Sequence, residues 1–173
     1  MHFLVYFIFS VLLICIQTTL LPVFPRLFAQ YDLLIPFVVY LTLFRANIGI
    51  FPVILISGCL MDLLSGGAIA VYIVTYILIL ICFRNTTVYF HFKKTILFQI
   101  VIILSVLVEN TLFSMVISFQ LMSFKLTFYG TGILAIQLFW ALISSPLLYF
   151  TFDYIFNRID KLIIGGLRDT MHV

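Results

Sequence analysis

Two acidic residues stand inside otherwise apolar stretches of this chain, and they are the first places to look for chemistry. Asp62 lies in SGCLMDLLSGGAIAVY, residues 57–72, where Ser65-Gly66-Gly67 interrupts the apolar sequence just after it. Glu109 sits beside Asn110 within a long apolar run. A lone carboxylate at bilayer depth costs roughly 2.5–3.5 kcal/mol on insertion scales, so such a group faces protein or a wet cavity. Asp62 therefore reads either as an interfacial acid at a helix end or as part of a hairpin that recognises another molecule. The two glycines permit a tight reversal, because they lack the Cβ that disfavours positive φ. Glu109 has no basic residue within the apolar runs to pair with. It is expected to be protonated, or hydrogen-bonded to Asn110 or Gln137. Its possible roles are gluing helices together, touching a partner's membrane helix, or holding a cation or ligand.

Covalent catalysis finds little to work with. His2, His91 and His172 fall at the start, in a connecting segment and in the tail, so they are not expected to converge on a metal. Cys15, Cys59 and Cys82 all lie in apolar runs with no metal-binding spacing, where a free thiol behaves as a small hydrophobe. No carboxylate pair sits at helical spacing on one face, no serine has a basic neighbour to activate it, and no H-E-x-x-H signature occurs. The expectation is a protein that is not an enzyme and needs no cofactor.

The elements that must position these groups follow from composition. Of the 173 residues, 65% are hydrophobic and 9% charged, far from the roughly 25% charged of soluble domains. The chain reads as an all-α, polytopic integral membrane protein. With 20 Phe and 9 Tyr, several aromatics are expected at the headgroup level. The net charge of +3 is spread thinly, so nucleic acid is not an expected partner.

Six transmembrane helices are predicted, at about residues 3–21, 33–44, 48–64, 68–83, 95–119 and 128–152. The first, 19 residues, spans about 28 Å, close to the ~30 Å hydrocarbon core, and Pro22 and Pro25 end it. The second is only 12 residues with Pro36 in its first turn, short for a span unless flanking residues extend it or snorkel. Gly66 and Ala70 form a small-x-x-x-small pair suited to close helix approach. Pro146 is expected to kink the sixth helix. A transmembrane domain at 1–156 is followed by a cytoplasmic tail, 157–173, of mixed charge, lying on the membrane surface or disordered. With both termini cytoplasmic, the inner segments hold Arg45, Arg84, Lys93, Lys94, Arg158, Lys161 and Arg168, against Arg26 and Lys125 outside. That bias follows the positive-inside rule and puts the Asp62 turn near the external face.

Taken together, these features resemble the MreD family, the small polytopic membrane proteins of bacterial rod-shape determination. Gln17-Thr18-Thr19 closes the first helix with prolines after it, and Asp32-Leu33-Leu34 opens the second. Gly49 starts the third, which ends in Gly58…Asp62-Leu63-Leu64-Ser65-Gly66-Gly67. The likeness covers roughly the first half of the chain. Tyr31-Asp32 stands where the family has Pro-Asp, and Ala68-Ile69-Ala70 where it has a Gly-x-x-Gly-like crossing. The resemblance implies a non-enzymatic scaffold of the bacterial cytoplasmic (inner) membrane that supports peptidoglycan synthesis and cell shape. It also implies binding of the single-span protein MreC, linked through it to MreB, RodA and penicillin-binding protein 2. Gln17, Asp32, Asp62, Ser65, Gly66, Gly67 and Glu109 are then the candidate partner-binding or structural residues. The family's helix layout is similar to that of the substrate-binding components of energy-coupled vitamin transporters, which makes binding of a vitamin or metal the rival function. Such components carry an Ala-x-x-x-Ala coupling motif in their first helix, where this chain has no alanine.

Overall fold

The computed structural model describes residues 2–20, 31–45, 49–65, 70–84, 93–120 and 129–170. These residues form six helices and no strand: α1 (His2–Leu20), α2 (Leu34–Phe44), α3 (Ile50–Ser65), α4 (Val71–Phe83), α5 (Lys94–Gln120) and α6 (Tyr129–Thr170). Within α5 and α6, Lys94–Val116 and Leu134–Lys161 are long and apolar enough to cross a membrane. The other four helices are shorter apolar segments.

The shortest helix occupies the centre. Its 11 residues rise only about 16 Å, roughly half a hydrocarbon core. Every residue from Leu34 to Leu43 is buried, and α2 packs against each of the other five helices. A helix that is apolar all round has no face suited to water and is buried on every side. Pro36 sits in the first turn, where its missing N–H would have had no helical partner.

Aromatic rings fill the space between α1, α2 and α6. Phe9 meets Phe37 at 5.5 Å between ring centroids and Phe152 at 5.7 Å edge-on, and Tyr40 stacks on Phe156 at 5.7 Å. Such contacts contribute about 0.5–1.5 kcal/mol each beyond the area they bury. Phe37, Phe98, Phe152 and Phe156 are thus interior residues and not headgroup anchors.

Helices α3 and α4 form a close hairpin. A Cβ on Gly58 would lie 2.9 Å from Ile73 Cα, so only glycine allows this approach. The expected close pair of Gly66 and Ala70 cannot be placed in the same way, because Gly66 lies outside the described residues. Ala70 itself has φ of 68°, a left-handed conformation that strains a residue with a Cβ.

α6 departs from expectation at its C-terminal end. The helix runs on to Thr170, so residues 157–170 are helical where a surface-lying or disordered tail is predicted. Polar and aromatic contacts hold at least its first turns: Phe156 packs edge-on against Tyr6 at 5.2 Å, and Asn157 and Asp160 engage Arg45. Pro146 leaves the Leu142 carbonyl without its helical N–H, and the Ser145 hydroxyl donates to it at 3.2 Å.

Candidate functional site

The two ends of α2 carry opposite charges, and a polar layer is built around each. At its N-terminal end the first helical N–H groups are buried and need acceptors from elsewhere in the fold. Asp32, 2% exposed, accepts the Leu34 N–H through Oδ1 at 2.8 Å. Gln17, from the last turn of α1, accepts the Leu33 N–H through Oε1 at 3.1 Å, and its side chain also faces the Asp32 carboxylate. Asp32 Oδ2 accepts the Tyr76 hydroxyl of α4. The segments Gln17-Thr18-Thr19 and Asp32-Leu33-Leu34 thus meet to start the central helix. Of the first, only Gln17 reaches across; Thr18 and Thr19 donate to carbonyls of their own helix.

Glu109 of α5 enters this same layer. It lies within electrostatic reach of Asp32 and of the hydroxyls of Tyr31, Tyr72 and Tyr76. Around them, Tyr31 and Ser144 share a hydrogen bond of 2.8 Å, and Asn110 donates to Gln137 at 2.6 Å and to the Val106 carbonyl at 2.9 Å. Glu109 is 8% exposed. Its expected partners Asn110 and Gln137 bond each other.

Asp62 has a different task. Its carboxylate, in the last turn of α3, accepts the Tyr72 N–H at 3.1 Å through Oδ1 and the Ile73 N–H at 3.2 Å through Oδ2. These are the second and third residues of α4, whose own preceding residue Ala70 offers no side-chain cap. An anionic side chain at a helix N-terminus satisfies orphan donors and complements the helix dipole. Asp62 therefore locks the hairpin, and the Ser65 hydroxyl donates to the Asp62 carbonyl at 3.3 Å. Leu63 and Leu64, between them, are 80% and 57% exposed. Gly66 and Gly67 lie outside the described residues.

At the other end of α2, Arg45 forms an ion pair with Asp160 and donates to Asn157 Oδ1 at 3.1 Å. Tyr40 donates to Asp153 at 3.4 Å, and Tyr6 lies beside the guanidinium. Burial works against the Arg45 charge, but the hydrogen bond and charge of Asp160 outweigh it and hold the group above its usual range.

Sequence reasoning missed Tyr31, Tyr72, Tyr76, Ser144 and the whole Arg45 layer. Tyr72 and Tyr76 could have been found: tyrosines four apart line one helix face, here with ring centroids 6.2 Å apart. The Arg45–Asp160 pair left no such signal, since its members are 115 positions apart. Among the described residues no group of three or more His, Cys, Asp or Glu is placed to hold a metal ion. No family model, curated protein or solved structure matches this chain.

Proposed function

We propose that this protein is a non-enzymatic, multi-pass scaffold of a bacterial cytoplasmic membrane, with both termini cytoplasmic. In this reading it docks the single-span protein MreC and, with MreB, RodA and penicillin-binding protein 2, supports wall synthesis and rod shape. The observation that carries the proposal is the hairpin built by the MreD-like run: Asp62 caps α4 from α3, and Leu63 and Leu64 stand exposed beside it. A capped hairpin holds two apolar side chains in fixed positions, as a helical partner within the membrane requires. The basic residues support the orientation, seven against two. The short α2 need not be a lipid-facing span of full length, because the other helices enclose it.

Co-purification from detergent tests the reading. MreC is expected to come down with the wild-type chain and to be reduced at least tenfold by Leu63→Ser with Leu64→Ser, which leaves the Asp62 cap intact. Absence of MreC from the wild-type eluate, or undiminished recovery with the double variant, would contradict it.

A further inference from the structure

We propose that the rim where α5 begins and α6 leaves its apolar span binds the phosphodiester headgroup of an anionic phospholipid. Arg158, seated on Tyr154, is the principal contact, and Lys93, Lys94 and Lys161 are the further cations of the rim. The site rests on the reading that α5 and α6 cross a membrane, and not on which protein the hairpin docks.

The two spanning helices change character at one level. Along one face of α6, Ile143, Leu147 and Phe150 are exposed and apolar, Tyr154 follows one turn on, and Arg158 one turn after that. On α5 the exposed residues Leu104, Ile100 and Ile96 lead to Lys93. The rings of Phe98 and Tyr149 pack at 5.5 Å between centroids, which sets the register of the two helices. Lys94 thus lies one turn before Phe98, and Asp153 one turn after Tyr149. At 1.5 Å per residue, Tyr154 stands about 6 Å and Arg158 about 12 Å past Phe150. The headgroup layer is roughly 5–8 Å deep on each side of the hydrocarbon core, so Tyr154 falls within it and Arg158 at its outer edge. The Arg158 side chain turns back toward the bilayer, as its bond to Tyr154 shows.

This guanidinium is held ready for an anion. Its Nη1 donates to the Tyr154 hydroxyl at 2.8 Å, and its carbon lies 5.9 Å from the centroid of the same ring. The chain carries six acids in all, and those nearest the rim are engaged. Asp160 pairs with Arg45, and Asp153 accepts the Tyr40 hydroxyl. Asp32, Asp62 and Glu109 lie toward the other end of the bundle, and Asp169 is about two turns beyond Lys161. Lys93, Lys94, Arg158 and Lys161 are all exposed, so the rim is positive. A guanidinium takes a phosphate through paired N–H donors, and an ammonium takes it as a point charge. Basic groups at the ends of membrane helices attract anionic lipid and hold its headgroups.

The full chain is reconstituted in phosphatidylcholine vesicles with a trace of spin-labelled lipid, and the motionally restricted fraction gives the relative association of each headgroup. Spin-labelled phosphatidylglycerol is expected to associate about fivefold or more over spin-labelled phosphatidylcholine, with the preference falling as sodium chloride is raised. Lys93→Gln, Lys94→Gln, Arg158→Gln and Lys161→Gln together are expected to bring it below about twofold. Arg26→Gln with Lys125→Gln is expected to leave it in place. Arg158→Lys keeps the charge but not the fork, and is expected to lower the preference by about half. Equal association of the two lipids would overturn the proposal and leave the rim to an acidic protein segment. So would a preference lost with Arg26 and Lys125, or one unchanged in the fourfold variant or in Arg158→Lys. A chain stripped from membranes by alkaline carbonate would overturn the membrane reading and the site with it, whereas a retained chain without lipid preference overturns the site alone.

Discussion

The layers at the two ends of α2 solve the same problem with unequal means. Around Arg45 the charges balance: a guanidinium meets Asp160 and Asn157, and its pair is still 17% and 25% exposed. Around Asp32 two acids share a more deeply buried space, and no described cation answers them. The first arrangement is sufficient in itself. The second is built on Asp32, whose hydrogen bonds start the helix, with Glu109 in electrostatic reach of it. The contrast separates a charge balanced near solvent from one that builds the fold: Asp32 is buried and holds a backbone N–H and a tyrosine hydroxyl.

The sharpest way to break this comparison is to remove the two charges at equivalent positions of α2. Asp32→Ala strips the buried Leu34 N–H and Tyr76 hydroxyl of their acceptor, and is expected to destabilise by about 2–5 kcal/mol. Reversible unfolding in mixed micelles measures it. Gly58→Leu tests whether the hairpin beside the acid layer depends on close approach. It is expected to cost about 1–3 kcal/mol by the same measurement, because the new side chain meets Ile73 backbone. Asp62→Ala removes the acceptor of two α4 N–H groups, with an expected loss of about 0.5–2 kcal/mol and faster amide exchange at Tyr72 and Ile73. Arg45→Ala should cost no more than about 1 kcal/mol, falling as salt is added, because its pair remains partly in contact with solvent. Equal losses for Asp32→Ala and Arg45→Ala would erase the distinction between the layers. Ala70→Gly works in the other direction: relief of the left-handed strain is expected to raise stability by about 0.5–1 kcal/mol.

Much of the helix layout was legible in the apolar runs, because a stretch of helical length with few charges or prolines has only helix available to satisfy its backbone away from water. The start and end of α2 agree with the sequence to within a residue or two. Its central place was not legible, since hydropathy reports what a helix buries and not what surrounds it. The extension of α6 was hidden for the opposite reason: Asp153, Asn157 and Asp160 look like departure from the membrane, yet they serve Tyr40 and Arg45. Asp62 stood out as an acid in apolar sequence, but its partners lie across a chain reversal and are backbone groups, which carry no residue signature. Glu109 stood out too; of its expected partners, Asn110 turns its amide to Gln137 and to the Val106 carbonyl.

The two layers, with the Asp62 hairpin on one side and the Arg45 pair on the other, are held in this account to face opposite sides of a membrane. Labelling with a membrane-impermeant maleimide, on chains whose Cys15, Cys59 and Cys82 have been replaced, tests that most directly. A cysteine at Ser65 is expected to react in intact cells, and one at Arg158 only after the membrane is opened. Reaction of both from the same side, or the reverse pattern, would contradict it.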